Sequence, residues 1–389
     1  MTDSHDGFDI HDGGPPRSGG GDNVFTFKPA AKQQQRIVVT LSEFLAQFTP
    51  PDYLIDGLLQ RGFFYSLTGR TGIGKTAIAV LIAILVAMRS AQKLGSHEVE
   101  HGRVLYITKE NPTDVRMRLI GAAAKMGFDP DALDFLLIEK IQTISRKVLN
   151  QITQEIELFG ELALVIVDTS VALFPGDEEN SNTQVGKHAR AQRDLTNLPG
   201  RPSVITLCHP GKNAHEKESM VPRGGGAFVA EVDGNFCLMS AGDRLVEMHW
   251  TGKLRGPDFE KIVFQLETVI TTSLMDSKGR CLPTVMARVI SDAQAQEAEA
   301  AAIFQENALL QAMSDDPNGS LAKWAEKCGW MSPGKDGGQP QPKKWLVQRV
   351  LSRLEDHKFV SKAGRNYGLT NAGKKAVGDL KPARRNDEI

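Results

Sequence analysis

The chain has 389 residues, enough for two to three domains at about 150 residues each. With 41% hydrophobic and 24% charged residues it can build a large core, and a net charge of -1 excludes a uniformly basic nucleic-acid coat protein. Cysteines stand only at positions 208, 237, 281 and 328, with no C-x-x-C pair, which argues against a disulfide framework or a cysteine zinc site and for a reducing cytoplasm. The longest apolar run, residues 77–88, is far short of the roughly 20 residues a bilayer span needs, so no membrane is expected.

Residues 1–36 hold six glycines, Pro15-Pro16 and five aspartates, with no apolar stretch after Met1. They read as a disordered tail and not as a secretory signal. From 37 to 275 strands and helices alternate. A strand at 63–67 runs through a Gly-rich turn into an apolar helix at 75–91. A strand at 104–107, a helix at 112–126, a helix at 147–159, and strands at 162–167 and 203–207 follow. The run Leu162-Ala163-Leu164-Val165-Ile166-Val167 is apolar at every position. A strand buried on both faces belongs to a parallel sheet covered by helices. Strands at 235–239, 245–250 and 262–266 are closely spaced and predict an antiparallel extension. The fold class is α/β.

Residues 276–300 read as a helical linker, Ala/Gln/Glu-rich from 287. From 301 to 378 the pattern gives helices at 303–313, 321–328 and 344–357, then short strands at 359–360 and 367–369. Helices followed by a small hairpin are the winged-helix order. Residues 379–389 are a polar tail.

Gly69-Arg70-Thr71-Gly72-Ile73-Gly74-Lys75-Thr76 fits G-x-x-x-x-G-K-[ST], with a strand before it and a helix beginning inside it. Such glycines let consecutive N–H groups point at phosphate oxygens, and the helix adds the positive end of its dipole. Lys75 would reach the β and γ phosphates and Thr76 would offer its hydroxyl to Mg²⁺. With Ala77, these residues form the predicted nucleotide-binding set, and ATP and Mg²⁺ are the expected cofactors.

Asp168 closes the apolar strand at 162–167, where a carboxylate can hold a water on Mg²⁺; the other reading is a turn or helix-capping Asp. Glu110 follows the second strand and precedes Asn111-Pro112. It can deprotonate the attacking water, or serve as an ordinary capping acid. His209 follows the strand at 203–207, and either senses the γ-phosphate or merely ends the strand.

Together these residues resemble the RecA-like superfamily, and within it the hexameric RepA-type helicases of broad-host-range plasmids. The likeness spans roughly residues 52–267. It runs through Tyr53-Leu54-Ile55-Asp56-Gly57, the loop 69–76, Thr108-Lys109-Glu110-Asn111-Pro112, Val167-Asp168-Thr169, Asp177-Glu178-Glu179-Asn180, Cys208-His209-Pro210-Gly211-Lys212 and Arg223-Gly224-Gly225-Gly226. The resemblance implies a RecA-like core in which Glu110 is the catalytic base and His209 the phosphate sensor. It also implies a homo-oligomer, a hexamer in that family, whose sites are completed by a basic finger from the neighbouring subunit. Lys253-Leu254-Arg255-Gly256-Pro257 is similar to such fingers. The plasmid helicases carry a finger arginine ten residues after Arg223, where this chain has Asp233. Either the finger has moved to Lys253 and Arg255 or hydrolysis is weak; the first is expected.

Residues 211–226 form a polar, Gly-rich loop with Lys212, Lys217 and Arg223. In RecA-like folds this loop faces the channel, so single-stranded DNA is its expected partner. Residues 341–389 hold 12 Lys or Arg against 5 Asp or Glu. On the helix at 344–357, Leu346, Val350, Leu351 and Leu354 recur at helical spacing. That leaves Lys343, Lys344, Arg349 and Arg353 outward for duplex DNA, with Lys358, Lys362 and Arg365 near the wing. The same surface also suits a protein-docking module. The sequence thus predicts an ATPase coupled to DNA, helicase-like in replication or recombination. Its rival is an ATP-gated DNA-binding regulator with little motor activity. A small-molecule kinase is disfavoured, since no lid or acceptor pocket can be read.

Overall fold

The computed structural model describes residues 38–48, 50–178, 181–224, 226–242, 244–334, 338–364 and 366–380. The expected N-terminal tail, Glu179, Asn180, Gly225, Arg365 and residues 381–389 therefore lie outside the described residues. The chain divides at Pro50 into two units. In the first, Leu41–Ala46 (α1) is a short helix started by a reciprocal cap. Thr40 Oγ accepts from the Glu43 N–H at 3.2 Å, and Glu43 accepts from the Thr40 N–H at 2.6 Å.

The second unit begins with Tyr53–Ile55 (β1), Leu59–Gln60 (β2), Phe64–Thr68 (β3), Lys75–Ala87 (α2), Gln92–Leu94 (β4) and His97–Val99 (β5). Strands β1, β2, β4 and β5 make a small antiparallel sheet. The chain continues through Arg103–Thr108 (β6), Pro112–Met126 (α3), Phe135–Ile138 (β7), Arg146–Phe159 (α4), Leu162–Asp168 (β8), Asn182–Arg193 (α5), Ser203–Cys208 (β9), Gly226–Glu231 (α6), Gly234–Ser240 (β10), Leu245–Leu254 (β11), Ile262–Val269 (β12) and Thr284–Ile290 (β13). The main sheet has nine strands in the order β13-β12-β11-β10-β3-β9-β8-β6-β7. Pairings from β10 to β7 are parallel and those from β10 to β13 antiparallel.

Helix α2 explains this shape. All but one of its residues are buried, because nearly every position is apolar and no face can meet water. The parallel strands cover one side, and the antiparallel strands curl round so that β13 packs against the other. Strand β13 lies where the sequence suggested a helical linker. Its Thr284, Val285, Val289 and Ile290 are β-formers with a sheet edge to join, and Thr284 closes directly on Gly121 of α3. The helix expected at 287–300 and that at 303–313 are one element, Asp292–Asp315 (α7), opened by a Ser291–Gln294 capping box.

The C-terminal part continues with Leu321–Lys327 (α8), Met331–Ser332 (β14), Gln341–Pro342 (β15), Lys344–Asp356 (α9), Val360–Ala363 (β16), Asn366–Leu369 (β17) and Asn371–Asp379 (α10). Leu309, Met313, Trp324, Leu346, Val350, Leu351, Leu354 and Val360 form its core. Helix α10, begun by a Thr370 cap, had no counterpart in the sequence reading because it has few large apolar residues. Among the described residues no helix is long and apolar enough to cross a membrane.

A buried polar staple joins the two halves of the sheet below the phosphate loop. Asn235 Oδ1 accepts from Ser66 Oγ at 2.7 Å and from Thr68 Oγ1 at 2.6 Å. Its amide donates to the carbonyls of Met220 and Thr251. An Asn235→Ala variant leaves these groups without their partner in a dry interior, and should lose about 3 kcal/mol of stability in denaturant titration.

Candidate functional site

Four strands end side by side in the order β3, β9, β8, β6, and each delivers a polar group to the same sheet edge. This is the C-terminal edge of a parallel sheet, where open α/β folds place ligands. After β3 the loop 69–76 turns into α2. Gly74 takes φ +100°, and a Cβ there would stand 2.8 Å from Leu266 of β12, so the position requires glycine on both grounds.

Lys75 is buried and its amine donates to the carbonyls of Gly69 at 2.7 Å and Arg70 at 3.0 Å. Burial pushes this amine below its usual range, while nearby Cys208, Asp168 and Glu110 oppose the shift. His209 Nδ1 lies 3.4 Å from the Lys75 amine and 3.4 Å from the Thr71 hydroxyl. An ammonium only donates, so that contact requires an unprotonated Nδ1. The His209 carbonyl accepts from the Arg223 N–H at 2.8 Å, which ties His209 to the end of the loop that follows it.

Asp168 is buried at the end of β8 and accepts hydrogen bonds from Tyr106 Oη, at 2.8 Å, and from Thr76. Burial raises its pKa and the two hydrogen bonds lower it, with burial prevailing. Glu110 stands beyond β6 and accepts from Thr169 Oγ1 at 2.8 Å. Capping of α3 falls to Asn111, whose side chain accepts from the Asp114 N–H. Neither carboxylate therefore has the capping role that the sequence left open for it.

These groups line a cleft of about 380 Å³ that continues past Gly74 to Arg118, Arg244, Leu266 and Val285. Arg118 donates to Asp114 at 2.6 Å and to the Val285 carbonyl at 2.8 Å, and so joins α3 to the curled strands. A hard cation fits between Thr76 and Asp168, since hydroxyl and carboxylate oxygens are the donors that Mg²⁺ prefers and the remaining positions are left for water and phosphate. Nearby, the Thr108 hydroxyl is buried with no partner on the strand register that faces Asp168. Beyond His209 a second cavity of about 220 Å³ meets His188. Burial pushes this imidazole down to about 4, and it contacts Ser170 and Gln192.

Residues 29–215 match the family model described as an AAA domain. Over these residues the chain is similar to that family, in keeping with a P-loop ATPase. No curated protein sequence matches the chain. The matched segment contains the loop 69–76, Glu110, Asp168 and His209 and stops inside the loop after β9.

Outside that segment, the chain departs from the sequence reading at two arginines. Arg255, expected to project toward a neighbour, is 58% exposed but donates to Asp233 at 2.8 Å. Buried Asp233 also accepts from Arg193 at 2.9 Å and from the Phe64 N–H at 3.0 Å, so the carboxylate in the expected finger position anchors the arginine that follows β11. Lys253 donates to the Ala230 carbonyl at 2.9 Å. Arg353, expected outward for DNA, points inward instead. It pairs with Glu306 of α7 at 2.9 Å and donates to the Ala302 carbonyl, because Glu306 is itself nearly covered and needs a cation.

The other basic residues are distributed unevenly. Lys212, Lys217, Arg223 and Lys344 are exposed and Lys343 is half-buried. Arg349 is half-buried with its guanidinium over the Trp345 ring, 5.2 Å from the centroid.

Tyr106, Thr169, Arg118, Arg244 and Leu266 were missed by motif reading. Only Tyr106 gave a sequence signal: a hydroxyl in an otherwise apolar strand needs a buried partner. Tyr106→Phe keeps the ring and removes the donor to Asp168. It should raise severalfold the Mg²⁺ concentration needed for tight binding of a fluorescent ATP analogue, without lowering the stability of the Mg²⁺-free protein by more than about 2 kcal/mol in denaturant titration.

Proposed function

We propose that the protein is an Mg²⁺-dependent, DNA-stimulated ATPase that works as a ring or filament of identical subunits, helicase-like in its coupling. The observation that carries this reading is the place of Lys253 and Arg255. Leu254 pairs with Gly234, which pairs with Tyr65 near the start of β3, whereas the phosphate loop leaves the other end of that strand. From Tyr65 to the loop at Gly69 the strand covers about 13 Å, and the two strand spacings from β11 to β3 add about 10 Å sideways, too far for either side chain to reach the cleft of its own subunit. Basic groups on that edge suit the pocket of another copy.

In this reading the loop 69–76 and Lys75 hold the phosphates, and Thr76 and Asp168 hold Mg²⁺, which neutralises charge on the phosphate oxygens when bound. Glu110 takes a proton from water as the water oxygen bonds to the γ-phosphorus, and ADP leaves with the electron pair of the broken P–O bond. Lys253 and Arg255 of the next subunit stabilise the charge that develops. His209 passes the state of the site to the loop carrying Lys212, Lys217 and Arg223, where a single strand of DNA binds. A hexamer of the RepA type is the assembly this implies, in the cytoplasm.

The C-terminal part supports a winged-helix role at duplex DNA. Lys343 and Lys344 crowd the N-terminus of α9, whose first turn holds no acid. Cations there oppose the helix dipole, and a phosphate relieves both. Trp345, 57% exposed, and Lys362 above the Tyr367 ring extend the same chemistry.

The Arg255–Asp233 pair favours a second reading, an ATP-gated DNA-binding regulator in which a tethered finger keeps turnover slow. Single-stranded DNA should raise ATP turnover severalfold under the first reading; a constant low rate with a salt-sensitive shift of one duplex supports the second. Subunit mixing tests the shared site directly. Lys75→Ala and Arg255→Ala should each be nearly inactive alone and should recover turnover when mixed, because a mixed interface joins an intact phosphate loop to an intact finger. Arg193 still compensates Asp233 in the second variant. A mixture as inactive as its parts defeats the trans finger.

A further inference from the structure

We infer that Thr169 is a positioning residue for hydrolysis: its hydroxyl holds one oxygen of Glu110 and leaves the other directed at the nucleotide cleft. The inference rests on the reading of Glu110 as the base. Glu110 stands beyond the end of β6 with an exposed side chain. A free glutamate of this kind samples many rotamers, and ordering it costs side-chain entropy. A base must instead stand within hydrogen-bond reach of one water.

Thr169 is suited to supply that order. Only 4% of it is exposed, and its β-branched side chain has few χ1 states. Its backbone is tied on both sides: the Asp168 carbonyl accepts from the Lys109 N–H at 3.2 Å, and the Ser170 N–H donates to the Leu207 carbonyl at 2.9 Å. The hydroxyl is thereby located against β6 and β9 at once, and from there it donates to Glu110 Oε2 at 2.8 Å.

The type of donor matters as much as its place. A lysine or arginine on Glu110 would lock the carboxylate but sharply weaken it as a proton acceptor. The nearest candidate, Lys109, is turned away and donates to the backbone and side-chain oxygens of Gln142 at 3.0 and 2.9 Å. Lys75 donates to loop carbonyls instead. A neutral hydroxyl orients Glu110 and leaves Oε1 with both lone pairs for a water. Asp168 is likewise held by neutral hydroxyls, those of Tyr106 and Thr76, so both carboxylates are oriented without a cation hydrogen-bonded to them.

The test compares Thr169→Val, which keeps the shape and removes the hydroxyl, with Thr169→Ser, which keeps the hydroxyl. The full-length protein is assayed for ATP turnover, fluorescent ATP-analogue affinity, Mg²⁺ midpoint and melting temperature. Thr169→Val should lower kcat about tenfold while KM, analogue affinity and Mg²⁺ midpoint stay within about twofold, and Thr169→Ser should recover most of the loss. Full kcat in Thr169→Val overturns the inference, as does an equal loss in Thr169→Ser or a fall in analogue affinity that matches the fall in kcat. If Thr169→Val melts below the assay temperature, Thr169→Ala read against Thr169→Ser decides by the same comparison. Glu110→Gln, run alongside, separates the two ideas. Normal turnover in that variant removes the base itself and the positioning role with it, whereas an inactive Glu110→Gln beside an unimpaired Thr169→Val removes only the positioning role.

Discussion

A helix with no polar face determines the form of this molecule. Because α2 is apolar nearly all round, a flat sheet with solvent on the far side of the helix would leave much of it wet. The sheet instead continues through three antiparallel strands that curl over the helix, and α2 is enclosed between the two parts. The curl is also what roofs the phosphate loop. Leu266 is drawn down onto Gly74, and Val285 accepts from Arg118, so the nucleotide cleft is walled by strands that follow the loop by nearly 200 residues. Core packing and cleft construction are therefore one event, and a substitution that loosened the curl would be felt at both.

Charge in the cleft is managed by burial and by neutral partners. A buried ammonium at the start of α2 and a buried carboxylate at the end of β8 face the same cleft, each shifted toward its uncharged form by loss of water and pulled back by the other. Such a site is costly until a ligand enters, and a polyanion with a divalent cation compensates both groups at once. Beside it the network of Ser170, His188, Gln192 and Thr206 satisfies its hydrogen bonds without any charge, since His188 stays neutral. The contrast separates a scaffold that is complete in itself from a cleft that is not.

The basic residues differ in how firmly they are held. Arg255 and Arg353 are both committed to carboxylates of their own chain, one at the sheet edge and one between α7 and α9. Lys344, Lys212 and Lys217 are exposed. An arginine paired with a buried acid contributes to the fold and becomes available to a partner only by exchanging that acid for another anion.

By itself the sequence determined what rests on local chemistry. The glycine spacing of residues 69–76 can serve few purposes other than wrapping phosphate, and the apolar run ending at Asp168 could only be a strand covered on both faces. That Glu110, Asp168 and His209 each stand at or just after the end of a strand followed from the same reasoning. Tertiary structure alone decided which polar groups meet. Thr169 and Glu110 are 59 residues apart, Tyr106 and Asp168 are 62, and Phe64 and Asp233 are 169. No periodicity or propensity encodes such a pairing. Residues 284–290 became a strand, not a linker, because an open sheet edge and an uncovered helix stood beside them. Arg353 turned inward because Glu306 was already buried there. In each case a contact distant in sequence outweighed a preference that was only local.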